Sequence, residues 1–232
     1  MALRGKLQEL ILADRQSAAR IVCEPRLIPS PGRYVLARPG GSQASVATPI
    51  FAAHILTDGF ITEGGIPESW SPGLELILRG PLGHGFDLPP GARNVALIAF
   101  HTSPGCLLSL IASSLLQQAS VTLICEVPPD DLPLSIEVQP LSALEQIWAW
   151  ADYLAVSAER GSLSDLTNTL IKNEPPPAKR GGIIRQAQVM VRSGMPCGGL
   201  AECGVCSLPG AHPTRLICKD GPVFNLAEIR LT

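Results

Sequence analysis

The sequence predicts three successive units: a small β-barrel or sandwich, a doubly wound parallel α/β domain, and a small C-terminal module built on four cysteines. Three observations carry this expectation. The first ninety residues hold short apolar runs separated by Gly and Pro; strand-like and helix-like runs alternate from Val95 to Leu170; and four of the seven cysteines fall between Cys197 and Cys218. A chain of 232 residues holds one large domain or two to three small ones at roughly 150 residues each. With 46% hydrophobic and 16% charged residues it can bury a core, which excludes a disordered chain. Eighteen Lys and Arg against twenty Asp and Glu leave a net charge of -2 with no basic stripe, and Phe, Trp and Tyr are only 4% of the chain. That balance argues against a nucleic-acid binder.

In chain order, Gly5 to Leu12, Ala19 to Cys23, Arg33 to Ala37 and Leu74 to Leu78 are expected as short strands between turns. After Pro89-Pro90-Gly91 the rhythm changes. Val95 to Phe100 is a continuous apolar strand and Cys106 to Gln118 a helix; Ala119 to Val127 and Leu134 to Val138 are further strands. Ser142 to Trp150 is a helix and Asp152 to Val156 another strand. Ser162 and Asp165 have capping-box-like spacing at the start of a helix that puts Leu163, Leu166 and Leu170 on one face. Alternation of this kind implies a parallel, doubly wound sheet. Glu174 to Gly182, with three consecutive prolines, cannot continue a helix and reads as a linker. No apolar run reaches the ~20 residues a membrane span needs. The N-terminus turns polar before a signal-peptide apolar region forms, so a cytoplasmic protein is expected.

Cys23, Cys106 and Cys125 sit singly in apolar surroundings, where a free Cys serves as a small hydrophobe. Cys197, Cys203, Cys206 and Cys218 are spaced C-x5-C-x2-C-x11-C, a pattern that without a secretory signal favours metal over disulfides. Four thiolates fill a two-iron, two-sulfide (2Fe-2S) cluster, and plant-type clusters use the related C-x4-C-x2-C spacing. Gly198, Gly199, Gly204 and the small Ala201 let the backbone wrap closely and aim N–H groups at the sulfurs. A structural zinc is the alternative, but zinc ribbons present two short knuckles and only Cys203 and Cys206 form one here. A redox-active Cys203-x-x-Cys206 dithiol would need a thioredoxin-like setting that the glycine-rich context does not provide.

Several stretches together carry a resemblance: Pro31-Gly32-Arg33-Tyr34-Val35, Gly80-Pro81-Leu82-Gly83-His84-Gly85-Phe86, Met195-Pro196-Cys197-Gly198-Gly199 and Cys218-Lys219-Asp220-Gly221-Pro222-Val223-Phe224. With them the chain resembles the electron-transfer subunit family of class B dihydroorotate dehydrogenases, a branch of the ferredoxin reductase-like proteins. The resemblance implies a ferredoxin reductase-type barrel over 1–91, a nucleotide-binding-like α/β domain over 92–174, a linker over 175–182 and an iron-sulfur module over 183–232. It also implies a 2Fe-2S cluster on the four cysteines, an FAD, a pyridine nucleotide and a flavin-containing partner subunit in a hetero-oligomer. Three positions depart from the family. Where its FAD motif has Arg before a Pro and Ser two residues after, this chain has Thr48-Pro49-Ile50-Phe51, and Thr48 cannot pair with a phosphate as Arg does. The first α/β strand runs into Phe100-His101-Thr102-Ser103-Pro104-Gly105 rather than a glycine-rich loop, and Pro104 removes an N–H. The family's Cys-Gly-Pro appears as Ser157-Ala158-Glu159. The expected protein is therefore an iron-sulfur electron-transfer component rather than a stand-alone enzyme, with FAD weakly supported and NAD(P)H not expected. A complete FAD/NAD(P)H reductase module and a zinc-holding scaffold subunit are the alternatives.

Other residues attract less. His84 and His101 sit in turns with no visible partner and are expected to be solvated. His212, inside the x11 loop, is a possible alternative ligand of the kind Rieske centres use. Gly80, Gly83 and Gly85 suit turn chemistry, and Trp148 and Trp150 suit a core or interface. No Ser-His-Asp set, HExxH motif or P-loop is present.

Overall fold

A computed structural model describes residues 3–13, 16–41, 46–172, 186–208 and 213–229. Six strands make the first unit: β1 (Leu3–Ala13), β2 (Gln16–Cys23), β3 (Tyr34–Pro39), β4 (Thr48–Ile55), β5 (Gly59–Thr62) and β6 (Glu75–Leu82). They pair antiparallel in the order β1-β2-β5-β4-β3-β6, and β6 returns to β1, so the sheet closes as a barrel rather than a sandwich. Its interior is filled by Leu7, Ile21, Val35, Ile50, Phe60, Leu76 and Leu78 with Trp70. Strands β4 and β5 are not evident from sequence. Pro49 weakens the strand signal of β4, and its lost N–H is tolerated near the strand's start. The four-residue β5 is too short to show a period.

The second unit is a six-stranded sheet. It comprises β7 (Asn94–Phe100), β8 (Ser120–Ile124), β9 (Glu137–Gln139), β10 (Tyr153–Glu159), β11 (Gln186–Arg192) and β12 (Val223–Asn225), with helices α1 (Gly105–Leu116), α2 (Leu144–Trp150) and α3 (Leu163–Lys172). A single turn, α4 (Ile217–Asp220), precedes β12. The strand order is β12-β11-β10-β7-β8-β9, parallel throughout except for antiparallel β12. Strand β7 is apolar along its length because both faces are covered: Val95, Leu97 and Ala99 pack with α1, while Ala96, Ile98 and Phe100 face α2 and α3. The expected α3 face is present, with Leu163, Leu166 and Leu170 all buried. Trp148 and Trp150 pack partly buried against the same core.

Two sequence expectations change. The strand placed at Leu134 to Val138 is only Glu137–Gln139, and Leu134 is fully exposed. More importantly, β11 and β12 lie inside the sheet, although residues 183–232 are expected from sequence as a separate module. Val189, Met190 and Val191 are buried there, and an apolar strand of this kind must pair somewhere. The linker assigned to 175–182 falls outside the described residues.

Barrel and sheet share a core. Alternate residues of β3 split between them: Val35 and Ala37 point into the barrel, whereas Tyr34 and Leu36 join the cluster formed by the sheet, α3 and the cysteine loop. On the other side α1 packs against β4, where Phe51 and Phe86 cover Cys106, Met190 and Val223.

Candidate functional site

The chain leaves β11 at Arg192 and curls through Cys197 to Cys206. Gly198, Gly199, Ala201 and Gly204 all have positive φ, at 62°, 74°, 63° and 68°. At two of them close approach also demands glycine. A Cβ on Gly198 would stand 2.9 Å from the Ala47 carbonyl oxygen, and one on Gly199 would stand 2.9 Å from the Tyr34 hydroxyl. The resulting curl turns backbone N–H groups inward: those of Leu200, Glu202 and Cys203 donate to the Cys197 sulfur, and that of Ala201 donates to the Cys218 sulfur.

The thiols come as two pairs. Cys197 contacts Cys203, and the Cys206 and Cys218 sulfurs lie 3.3 Å apart. Cys206 and Cys218 are buried, Cys197 is half-buried and Cys203 is exposed. The amide donors, led by that of Glu202 and joined by the Cys203 thiol, pull the Cys197 thiol down to about 6. Burial pushes Cys218 up to about 12, helped by the neighbouring Cys206 and opposed by the Ala201 N–H. Among the described residues no three His, Cys, Asp or Glu side chains converge on one point for a single ion. His212 lies outside the described residues.

The barrel braces the second pair. The Tyr34 hydroxyl donates to the Cys218 carbonyl at 2.8 Å, and its ring stands 5.5 Å from that of Phe51. The Ile217 N–H donates to the Cys206 carbonyl at 2.9 Å. The His84 N–H donates to the Gly221 carbonyl, and the His84 imidazole Nδ1 lies 3.0 Å from the Asp220 carbonyl oxygen. Arg33 Nε donates to the Gly83 carbonyl at 3.0 Å. Thus Pro31 to Val35, Gly80 to Phe86 and Cys218 to Phe224, far apart in sequence, meet around one cysteine. His84 and His101 are exposed as expected, but each has a partner that the sequence did not show: the Asp220 carbonyl for His84 and Glu126 for His101.

A second polar cluster sits at the C-terminal ends of β7 and β10, where the strand order reverses. Glu63, at the end of β5, reaches from the barrel to ion-pair with Arg192. Arg192 Nε also meets Glu159 Oε1 at 3.2 Å, and the Cys106 thiol donates to Glu63. Burial and the Glu63 carboxylate hold the Cys106 thiol well above its usual range, so it stays protonated. Cys106 is therefore buried as expected but hydrogen-bonded, not merely apolar filling. For Arg192, burial works against the charge, but the Glu63 carboxylate, with Glu159, outweighs it and raises the guanidinium. A cavity of about 480 Å³ opens beside Arg192, between Glu159 to Ser164 and Ser193-Gly194. Sequence reasoning missed Glu63, Arg192 and the bracing role of Tyr34. Nothing local marks Glu63 and Arg192, whose partnership spans 129 positions, whereas Tyr34 lies inside a family-like segment.

No helix among the described residues is long and apolar enough to cross a membrane. No protein-family profile matches the chain, and no curated protein matches it. Solved structures do. An NADH-dependent reduced ferredoxin-NADP oxidoreductase, described for flavin-based electron bifurcation, superposes with a TM-score of 0.73 at 15% identity, covering 100% of this chain and 91% of that one. The ferredoxin-NADP+ reductase of Plasmodium falciparum gives 0.60 at 11% identity, over 82% of this chain and 96% of the other. The flavohem-like FAD/NAD binding domain of nitric oxide dioxygenase from Vibrio cholerae gives 0.56 at 11%, over 82% and 98%. Closed barrel and α/β sheet together thus give this chain the fold of the ferredoxin reductases.

Proposed function

We propose that the protein is an electron-transfer component whose redox group is a 2Fe-2S cluster on Cys197, Cys203, Cys206 and Cys218, serving a flavin-dependent partner of the dihydroorotate dehydrogenase type in a hetero-oligomer. The observation that carries this reading is the pairing of thiols inside a loop of inward N–H groups. Two irons take two thiolates each, whereas one zinc needs its four donors gathered at one point. When bound, such a cluster accepts and returns one electron. The chain's own residues do the rest. Leu200, Ala201, Glu202 and Cys203 offer N–H donors that stabilise negative charge on sulfur and so tune the potential. Tyr34, with α4, holds the Cys218 half against the barrel. The exposed Cys203 lies at the surface, where a partner's redox group can approach.

The test is metal and sulfide analysis of anaerobically purified protein together with its visible spectrum. Two irons and two sulfides per chain are expected, with Cys203→Ser abolishing or strongly perturbing the spectrum and Cys125→Ser leaving it intact. Zinc without sulfide, or equal loss from both variants, would overturn the assignment.

A further inference from the structure

In doubly wound sheets a dinucleotide lies where the strand order reverses, its diphosphate facing the N-terminus of the helix after the first strand. In this chain that place is the start of α1, between the loops following β7 and β10. The residues there do not fit a diphosphate. We infer that the crevice is plugged from within: the Glu63 carboxylate, clasped by Arg192, occupies the anion position at α1, so the chain binds neither FAD nor NAD(P)H there.

Several observations converge. The Glu63 side chain is only 5% exposed. It lies so close to the first turn of α1 that a Cβ on Gly105 would stand 3.2 Å from its Oε1. Several donors that a phosphate could use there are missing or already engaged. Pro104 has no N–H, the Gly105 N–H goes to Ser103 Oγ at 3.2 Å, and the Cys106 thiol goes to Glu63 itself. Arg192 faces carboxylates on both sides, Glu63 and Glu159, and Thr102 reaches Glu159 across the crevice at 3.5 Å. An incoming phosphate would have to evict a buried, paired carboxylate and leave it without a partner, which is strongly unfavourable. The described part of the barrel offers no replacement. Thr48 carries no charge, and Phe51 packs onto Cys106, Met190 and Val223. Among the described residues the barrel has no α-helix to supply another N-terminus. With the proposed cluster in place, electrons would then pass between it and a partner's flavin without a flavin in this chain.

The experiment is equilibrium dialysis of the full chain against FAD, NADH and NADPH, with thermal melting in inorganic phosphate and in ADP, for wild type and Glu63→Ala. Iron and sulfide are counted on the same samples, so failure of the cluster assignment is seen separately. Wild type is expected to retain none of the three nucleotides and to melt independently of ADP. Glu63→Ala leaves Arg192 paired with Glu159 alone and opens the helix start, and its melting temperature is expected to rise with phosphate and with ADP beyond any rise in wild type. Stoichiometric FAD or NAD(P)H on wild type would overturn the inference, as would a folded Glu63→Ala that responds no more than wild type. Should Glu63→Ala not fold, Glu63→Ser, which also withdraws the side chain from α1, takes its place, with the same expected direction and the same overturning result.

Discussion

Cys197 and Cys218 belong to one proposed ligand set yet sit in opposite electrostatic settings. Three backbone donors reach Cys197, while Cys218 is buried beside another thiol with one such donor. The thiolate is the reacting species. In metal-free protein, alkylation of Cys197 should therefore become fast once pH rises above about 6, its depressed value, and Cys218 should stay unreactive until pH approaches about 12. Peptide-resolved mass spectrometry after short iodoacetamide pulses measures both; matching profiles would mean that the amide donors do not distinguish the two sites. Tyr34 shows how one side chain links units. Its hydroxyl satisfies a carbonyl in α4, and its ring fills the core shared by barrel and sheet.

At the scale of an element, the cysteine loop depends on glycines for two different reasons. Gly199 needs both its φ of 74° and the space beside Tyr34, whereas at Gly204, with φ 68°, an added methyl would meet nothing within 4 Å. Gly204→Ala should then cost only the left-handed backbone penalty, about 1–2 kcal/mol. Gly199→Ala should cost more and lower iron content, because Tyr34 or the loop must move. Urea denaturation and iron analysis of the two variants decide this; equal behaviour would mean that the approach to Tyr34 is not limiting. Helix α1 makes a related point. Its first turn accommodates a carboxylate from the end of β5 because residue 105 is glycine, and no pattern within α1 announces that guest.

For the whole molecule, the shared core makes a single folding unit of barrel and sheet. Tyr34 and Leu36 of the barrel, Val189 and Val191 of the sheet, and Cys206 and Cys218 of the loop belong to one apolar cluster. The Glu63 to Arg192 clasp ties the opposite side. Trp70 lies in the barrel core, and Trp148 and Trp150 lie against the sheet. Fluorescence of a variant retaining only Trp70 should therefore follow the same denaturation curve as one retaining the other two, with visible absorption lost in the same transition. Separate midpoints would show that the units unfold independently despite their common core.

Much of this was legible in the chain because it is local. The change from short strands to strand-helix alternation marks the passage from barrel to sheet, the run Val95 to Phe100 marks a strand buried on both faces, and Leu163, Leu166 and Leu170 mark one helix face. The four cysteines and the missing Arg at Thr48 need no coordinates either. What only the tertiary structure decided are pairings between distant residues: closure of β6 on β1, entry of β11 and β12 into the sheet, the bracing of Cys218 by Tyr34, and Glu63 against α1. Periodicity records which face of an element is apolar, but not which element will cover it. Direction matters too: the N–H groups of residues 200–203 exist in any fold, and only the curl through positive φ points them at sulfur. A local pattern can therefore name the ligands, while the field around them and the fate of the dinucleotide crevice arise where distant segments are packed together.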